Sequence, residues 1–199
     1  MKNKLVIIGC GGHARSIANV AVDAFPQIQI IFVDPYAKIN ELILDFPVYR
    51  EYEIKEEKES VIVGIGDNYK RKLEYNKYSD LITIISKHSY IGLEVEIGKG
   101  TFIANYAHLG VSSIIGDNVI INTGACLDHE VTVARNTHIA PNATVCGRVT
   151  IGENVFVGAG AVIRDKVNIC DNVIIGAGSV VLEDINIPGT YIGKITRKK

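Results

Sequence analysis

Aliphatic residues return at every sixth position through the C-terminal half of the chain. From Ile91 to Ile187 each sixth residue is Ile, Leu or Val, which makes an unbroken run of 17 positions. These three residue types fill 61 of the 199 positions, so such a run has a chance probability on the order of 10⁻⁹ per frame. The period therefore predicts a repeat architecture over residues 91–187.

The positions around each aliphatic residue repeat as well. The next residue is often glycine, as at Gly92 and Gly98, and the residue four positions on is small or β-branched, as at Ala107 and Val119. A unit with one inward aliphatic residue and one small corner residue describes a short strand followed by a turn, and stacked units bury a continuous interior. A helix is excluded, because apolar positions six apart fall on different sides of a helix with about 3.6 residues per turn.

The first 85 residues have the pattern of an α/β domain instead. Lys4–Ile8 is predicted to be a strand, residues 9–14 a glycine turn, Ala14–Ala24 a helix, and Ile28–Val33 a second strand that ends at Asp34. A glycine turn between strand and helix lets a phosphate approach the helix N-terminus, and an acid about 20 residues later can reach a ribose. This pattern predicts half of a Rossmann unit.

Further elements complete this domain. We expect a strand over Ser60–Ile65, a turn over Gly66–Asn68, a helix over Tyr69–Tyr78 and a strand over Leu81–Ile85. A dehydrogenase needs a second mononucleotide-binding half, and the repeats begin before one fits. The glycine turn therefore suits a nucleotide-linked substrate better than hydride transfer. The expected organisation is a domain over 1–85, a linker over 86–90, a repeat domain over 91–187 and a tail over 188–199.

Charge and composition narrow the function classes. Lys and Arg number 21 against 22 Asp and Glu, for a net charge of −1, which leaves no basic excess for nucleic-acid phosphates. No apolar run approaches the roughly 18 residues of a transmembrane helix, and residues 1–12 lack the apolar core of a signal peptide. We expect a cytoplasmic protein with no nucleic-acid partner, no membrane span and no metal site.

The cysteines show no C-x-x-C spacing, which argues against a zinc site and gives no support for a disulfide framework. We expect them to be small buried residues. They are Cys10, Cys126, Cys146 and Cys170.

A histidine and a carboxylate interrupt the repeat at one point. Asp128 occupies a slot usually held by a small residue, and His129 and Glu130 follow it. Imidazole titrates near neutral pH, so a positioned His129 suits a general base that takes a proton from a nucleophile. The adjacent Glu130 can orient the ring and stabilise its charged form.

The repeat closely resembles that of the hexapeptide-repeat acyltransferases, whose repeats form a left-handed parallel β-helix with three flat faces and roughly 18 residues per turn. The resemblance implies a little over five coils for residues 91–187, with no register break. The handedness rests on the resemblance, because left-handed crossovers between parallel strands are otherwise rare.

An α/β domain in front of such a β-helix narrows the resemblance. The whole chain resembles the bacterial acyltransferases that N-acetylate nucleotide-activated amino sugars, including the bacillosamine-pathway enzyme, with the sialic acid O-acetyltransferases as close relatives. The motifs that carry the match are Ile8-Gly9-x-Gly11-Gly12-His13, Phe32-Val33-Asp34, Gly66-x-Asn68 with Arg71, Asn122-Thr123-x-x-x-x-Asp128-His129-Glu130, His138 and Cys146-Gly147.

The resemblance implies roles for the matching residues. His129 is the general base, Glu130 raises its basicity, and His138 contacts acetyl-CoA. The remaining acetyl-CoA contacts are expected at Gly147, Ala159 and Ala177. The expected substrate-binding positions are Gly11, Gly12, His13, Asp34, Pro35, Gly66, Asn68 and Asn122.

The spacing of these residues predicts an assembly. With 18 residues per coil, His129 and Gly147 stack one above the other, and the Gly147 N–H can hold a thioester oxyanion. His138 lies half a coil away and faces another side of the prism. The two histidines share a site only if two prisms pack side by side, so we expect a homotrimer with its active sites between subunits.

These observations together predict an acetyl-CoA-dependent N-acetyltransferase that acts on the amine of a nucleotide-linked amino sugar, a UDP-4-amino-4,6-dideoxy sugar for surface glycan synthesis. Two alternatives stay open, namely O-acetylation of sialic acid and a non-catalytic sugar-binding scaffold. The chain also departs from the family where Ile192–Thr196 replace a C-terminal Gly-x-Pro-Ala motif. The basic residues 197–199 are expected to attract CoA electrostatically.

Overall fold

The computed structural model describes residues 2–195 and places an α/β unit at the N-terminus. The unit contains five strands and two helices. They are β1 (Lys4–Ile8), α1 (Gly12–Ala24), β2 (Gln29–Val33), β3 (Leu42–Ile43), β4 (Phe46–Tyr49), β5 (Ser60–Val63) and α2 (Asn68–Tyr75).

The sheet of this unit has the strand order β3-β4-β2-β1-β5. Strand β1 pairs in parallel with β2 and with β5, so the chain crosses over through α1 as a Rossmann half does. The expected α/β half-Rossmann unit is confirmed. Several details differ from the sequence prediction. Helix α1 begins at Gly12 rather than Ala14, α2 covers Asn68–Tyr75 rather than Tyr69–Tyr78, and the antiparallel pair β3–β4 is not predicted. The strand expected over Leu81–Ile85 is shortened to Ile84–Ile85 and belongs to the β-helix.

The rest of the described chain winds into a parallel β-helix with three faces. The first face contains β6 (Ile84–Ile85), β9 (Phe102–Ile103), β12 (Ile120–Ile121), β15 (His138–Ile139), β18 (Phe156–Val157), β21 (Val173–Ile175) and β23 (Gly189–Tyr191). The second face contains β7 (Tyr90–Ile91), β10 (His108–Leu109), β13 (Cys126–Leu127), β16 (Thr144–Val145), β19 (Val162–Ile163), β22 (Val180–Val181) and β24 (Lys194–Ile195). The third face contains β8 (Glu96–Ile97), β11 (Ile114–Ile115), β14 (Thr132–Val133), β17 (Thr150–Ile151) and β20 (Asn168–Ile169).

Each coil advances the chain by 18 residues over most of this β-helix. Leu109 pairs with Leu127, and Leu127 pairs with Val145, so side chains 18 apart stack directly. From Ile103 to Val181 the aliphatic residue of each repeat and the residue four positions later are both buried, as Val145 and Val149 illustrate. The hexapeptide pattern therefore encodes the interior as predicted.

The corners of the prism also repeat every six residues. Each contains a residue with a left-handed backbone, and these are mostly Asn or Gly, such as Asn136 (φ 61°) and Gly160 (φ 66°). Asn and Gly adopt this region at the lowest steric cost. Glu130 occupies one of these left-handed positions with φ 58°.

The structure moves both ends of the β-helix relative to the sequence prediction. The β-helix begins at Ile84, because β6 pairs with β9. Residues 86–90, the expected linker, therefore lie within the first coil of the β-helix. At the other end, Ile169 bridges to Ile185 and not to Ile187. Ile185 is 2% exposed and Ile187 is 70% exposed, which shows that the register shortens after β22.

Part of the expected C-terminal tail extends the β-helix. Strand β23 joins the first face and β24 joins the second, both in the shortened register. The basic residues 197–199 lie outside the described residues.

The α/β unit packs on the first face of the β-helix. Ile84, Phe102 and Ile120 point outward from this face and share one buried cluster with Ile17 of α1 and Leu5 of β1. Outward-facing positions of a solenoid are normally exposed, so this apolar stripe marks the docking surface. The packing places the end of the glycine turn against the first face.

The four cysteines are free and partly exposed, whereas burial was expected for them. Neither helix within residues 2–195 combines the length and the apolarity needed to span a bilayer.

We predict that truncation of an inward aliphatic residue destabilises the β-helix. Ile151→Ala should lower the free energy of unfolding by about 2–5 kcal/mol, because Ile151 is fully buried and its removal leaves a cavity. Ile114→Ala is the matched control, because Ile114 is 48% exposed on the same face. Chemical denaturation measures both. Equal losses in the two variants would contradict the inward and outward assignment.

Candidate functional site

A cavity of about 820 Å³ opens beside the glycine turn. It lies at the carboxyl ends of β1, β2 and β5, where parallel α/β sheets bind their ligands. Six predicted substrate-binding residues line it, namely Gly11, Gly12, His13, Asp34, Pro35 and Gly66.

The glycine turn is fixed by the acid that follows β2. One carboxylate oxygen of Asp34 accepts a hydrogen bond from the Cys10 N–H at 3.1 Å, and the other accepts one from the Tyr36 N–H at 2.9 Å. Both oxygens of Asp34 therefore accept backbone N–H groups. The sequence prediction assigned Asp34 a contact near the ribose or base and did not include these bonds. The N-terminus of α1 stays open, because a Cβ atom at Gly11 or Gly12 would meet nothing within 4 Å.

His129 and Glu130 lie at the corner between the second and third faces. The Nδ1 atom of His129 is 2.8 Å from Oε2 of Glu130. Arg148, one coil further on, donates from Nε to the same oxygen at 3.0 Å. The bonds to His129 and then to Arg148 hold the pKa of Glu130 below its ordinary value. With Nδ1–H donated to a carboxylate, the Nε2 atom keeps the lone pair that a general base needs.

Gly147 stacks under the His129 ring as the spacing predicts. A Cβ atom at Gly147 would lie 2.6 Å from Nε2 of His129, so only glycine leaves room for the imidazole. The Gly147 carbonyl accepts the Lys166 N–H. Within the described residues, no acceptor takes the Gly147 N–H.

His138 lies on a different side of the prism, on β15 of the first face. It is only 9% exposed, and its Nε2 atom is 3.1 Å from Nδ2 of Asn122. Because Oδ1 of Asn122 already accepts the Thr123 N–H, its Nδ2 must donate to His138. Nε2 of His138 is therefore the acceptor in a neutral ring.

His13 brings the cavity and the β-helix together. Its ring stacks edge-on against Phe102 at 5.3 Å and lies 6.4 Å from the ring of His138. Burial, followed by the charges of His138 and Arg71, lowers the pKa of His13 to about 3. Its buried Nε2 makes no hydrogen bond to any residue from 2 to 195. The glycine turn thus presents a neutral imidazole, and not a cation, at the domain junction.

The two predicted acetyl-CoA positions on the small-residue ladder lie at another corner. Ala159 and Ala177 are exposed between the first and second faces, and the Gly178 N–H donates to the Ala159 carbonyl at 2.8 Å. Within one chain, His129, His138 and Ala159 therefore occupy three different parts of the prism.

Asn68 does not line the cavity. Its side-chain amide donates to the Val155 carbonyl at 2.9 Å and accepts from Arg71 at 2.8 Å, so both ends are engaged in joining the α/β unit to the β-helix. The structure thus assigns it a docking contact where substrate binding was expected.

Sequence reasoning missed two partners of these residues. Arg148 was not connected with Glu130, although the 18-residue spacing predicts that their side chains stack. Arg71 was noted only as part of a motif, and it is buried between the two units. No local signal marks a surface helix position as buried, because the burial comes from the docked first face.

Comparison with known families agrees with this two-part architecture. Residues 4–78 match the family described as PglD N-terminal domain, and residues 148–183 match the bacterial transferase hexapeptide family. The hexapeptide match accords with the left-handed β-helix expected from the resemblance. A search of curated proteins finds no match.

Solved structures resemble the chain over nearly its whole length. The acetyltransferase domain of PglB from Neisseria gonorrhoeae is 28% identical with a TM-score of 0.90, and the alignment covers 96% of this chain and 97% of that one. PerB from Caulobacter crescentus, solved with CoA and GDP-perosamine, is 30% identical with a TM-score of 0.83, over 96% of this chain and 94% of that one. WeeI from Acinetobacter baumannii shares the fold at 22% identity and a TM-score of 0.83, over 95% and 96% of the two chains.

We predict that Arg148→Met raises the pKa of Glu130 part of the way to its ordinary value. The substitution removes one of the two partners that favour the carboxylate and leaves the bond to His129 in place. An NMR titration of the side-chain carboxyl carbon measures the shift. The matched control is Arg135→Met, which breaks the equivalent pair of Arg135 with Glu153 at a neighbouring corner. An unmoved Glu130 titration in Arg148→Met would contradict the assignment.

Proposed function

We propose that this chain transfers the acetyl group of acetyl-CoA to the amine of a nucleotide-linked amino sugar. The chain belongs to the hexapeptide-repeat sugar N-acetyltransferases that carry a PglD-type N-terminal domain. The observation that carries the proposal is the 2.8 Å bond of His129 Nδ1 to Glu130, which leaves the Nε2 lone pair available above Gly147, with the nearest carboxylate oxygen, Asp128 Oδ2, 3.9 Å away.

The chemistry follows from that arrangement. The amine attacks the thioester carbonyl carbon while Nε2 of His129 takes the proton that the nitrogen loses. Negative charge develops on the carbonyl oxygen, and the Gly147 N–H stabilises it. The C–S bond then breaks, and the imidazolium returns its proton to the leaving CoA thiolate. Glu130 stabilises the imidazolium and holds the ring in the required tautomer.

The substrate class is supported by the cavity at the glycine turn. A diphosphate fits the open N-terminus of α1, where unpaired N–H groups favour anions. The remaining cavity extends past Asp34 and Pro35, which we assign to the ribose or base. Asn122 and His138 do not line this cavity, but the His138 ring lies 6.4 Å from the ring of His13, which does. We assign this bonded pair of Asn122 and His138 to the sugar. We propose a UDP-4-amino-4,6-dideoxy sugar used for surface glycan synthesis, and a cytoplasmic reaction. The four free cysteines accord with a reducing compartment.

The alternatives are less well supported. Free sialic acid carries no nucleoside diphosphate and would leave the cavity beside α1 unused. A non-catalytic scaffold gives no reason for an imidazole with a free Nε2 beside an open N–H. Thiol release from acetyl-CoA with a panel of nucleotide-linked amino sugars and with sialic acid separates the three functions. Turnover of sialic acid alone, or of nothing, would overturn the proposal.

We propose a homotrimer in which each active site uses His129 of one chain and His138 of its neighbour. The two histidines face different sides of one prism, so a second β-helix is needed to bring them to one groove. In this groove acetyl-CoA would extend along Ala159 and Ala177, where small side chains leave the backbone accessible. A stable, fully active monomer in analytical ultracentrifugation would refute the assembly.

We predict that His129→Ala lowers kcat by about 10²–10⁴-fold, because the reaction loses its general base. The KM for the nucleotide sugar should change little, since the diphosphate contacts lie in the α/β unit. The control is His108→Ala, which removes an exposed histidine that stacks on Tyr90. Steady-state kinetics on both variants checks this. Retention of kcat in His129→Ala would contradict the role of the base.

Mixed trimers test the shared site directly. Two inactive variants, His129→Ala and His138→Ala, should recover about a quarter of wild-type activity when the chains are co-expressed in equal amounts, because one groove in four then has both histidines if subunits exchange at random. Each variant expressed alone is the control. A mixture with no recovered activity would show that both histidines come from one chain.

A further inference from the structure

Arg71 is the largest fully buried side chain of the described protein, with 1% exposure. It extends from α2 into the junction between the α/β unit and the β-helix. Its guanidinium donates to Asn68 Oδ1 at 2.8 Å and to the carbonyls of Gly66 at 3.1 Å, Asn118 at 3.1 Å and Asn136 at 2.8 Å. One side chain thus binds the turn after β5 and two successive coils of the β-helix.

No carboxylate neutralises this guanidinium within hydrogen-bonding distance in residues 2–195. All its partners are carbonyl oxygens, and burial lowers the pKa of Arg71 to about 9. Placing an arginine here carries a desolvation cost, and replacement by apolar residues often preserves stability at such sites. Packing alone therefore does not explain why an arginine occupies this position. A requirement for its fixed charge and for its planar set of donors explains the arginine more specifically.

The contacts of Arg71 lie on both flanks of His138. On the β-helix side, Nη2 binds the carbonyls of Asn136 and Thr137, which immediately precede His138 in the chain. On the α/β side, Nη1 binds the Gly66 carbonyl, against which the His138 ring lies. Arg71 therefore connects the backbone that precedes His138 to the turn at Gly66.

The charged and titratable groups around His138 come from two elements. His13 belongs to α1, and Arg71 belongs to α2, where Asp67 acts on Arg71. Two neutral residues of the β-helix also contact the His138 ring. They are Phe156 of β18 and Asn122, which directly follows β12. Burial and then the charge of Arg71 lower the pKa of His138 to about 4. A proton on Nε2 would also face the donating amide of Asn122.

We propose that Arg71 is a positioning residue for the acetyl-transfer site, which locks the turn at Gly66 onto the β-helix and keeps His138 a neutral imidazole with Nε2 bound to Asn122. The proposal rests on the proposed function, because it assigns His138 to that site. A neutral ring avoids a second buried cation next to the guanidinium. Its Nδ1 atom is buried and has no hydrogen-bond partner within residues 2–195.

Two substitutions separate the charge of Arg71 from its shape. Arg71→Lys retains a cation but loses the planar set of donors, while Arg71→Gln removes the charge. Histidine ring signals, followed by NMR from pH 4 to 8, report the protonation of His138. We expect His138 to stay neutral to about pH 5 in the wild type and in Arg71→Lys. In Arg71→Gln its pKa should rise toward the ordinary value, because burial alone remains to oppose protonation.

Kinetics provides the second readout. Both variants should lose about 10²-fold in kcat/KM, because the site depends on the placement of His138 to within about 1 Å. The matched control is Asp23→Asn, which weakens another contact between α1 and the first coil, where Asp23 pairs with Lys87 and His88. This control should retain the wild-type His138 titration and activity within a factor of two.

The outcomes distinguish this proposal from the proposed function. A His138 titration that does not move in Arg71→Gln, or wild-type kcat/KM in both Arg71 variants, overturns the positioning role. If the titrations behave as expected but the wild type transfers no acetyl group, the proposed function fails instead. Should Arg71→Gln not fold, a wild-type His138 that is charged at pH 6, or a fully active Arg71→Lys, overturns the positioning role.

Discussion

The 18-residue coil is the constraint on which the rest of the structure depends. Parallel pairing in this register stacks each side chain on the one 18 positions away, so a short motif in the sequence becomes a column along the prism. Gly147 comes to lie under His129, and Arg148 comes to lie beside Glu130 for this reason. The aliphatic interior holds the columns rigid, because close-packed interiors tolerate little displacement. A base built on such a column is preorganised before any ligand arrives.

The docking of the α/β unit on the first face adds a second constraint. It buries outward residues such as Phe102 and Ile120, which would be exposed on an isolated solenoid. The same contact brings His13 to the edge of His138 and buries Arg71 at a site where, within residues 2–195, its hydrogen-bond partners are all carbonyl oxygens. Burial lowers the pKa of both His13 and His138, because it disfavours the charged form of an imidazole. The junction between the α/β unit and the β-helix therefore both joins the two units and sets the protonation of the histidines within it.

The two histidines of the motif consequently have different properties. His129 is partly exposed and hydrogen-bonded to a carboxylate, which suits a group that must gain and lose a proton. His138 is enclosed, neutral and fixed by Asn122, which suits a group that donates a hydrogen bond and does not titrate. The proposed division of labour between a base and an acyl-side contact is based on these surroundings. The separation of the two histidines on one prism is the reason we propose a groove shared between subunits.

The sequence by itself determined the parts of the fold that depend on period and local conformation. The six-residue spacing specified the repeat and its interior. The three faces and the stacking of His129 on Gly147 also required the 18-residue coil that the family resemblance implies, because one translation then relates all coils. The glycine turn and Asp34 specified the half-Rossmann unit, because they form a local strand–turn–helix connection. Only the tertiary structure decided the shortened register after Val181, the burial of Arg71 and the engagement of Asn68 in docking. The burial of Arg71 and the docking contact of Asn68 depend on how two separately encoded units fit together, and no periodicity within either unit carries that information. The register change arises within the last coils, where the aliphatic spacing continues to Ile187 although Ile185 takes the inward position.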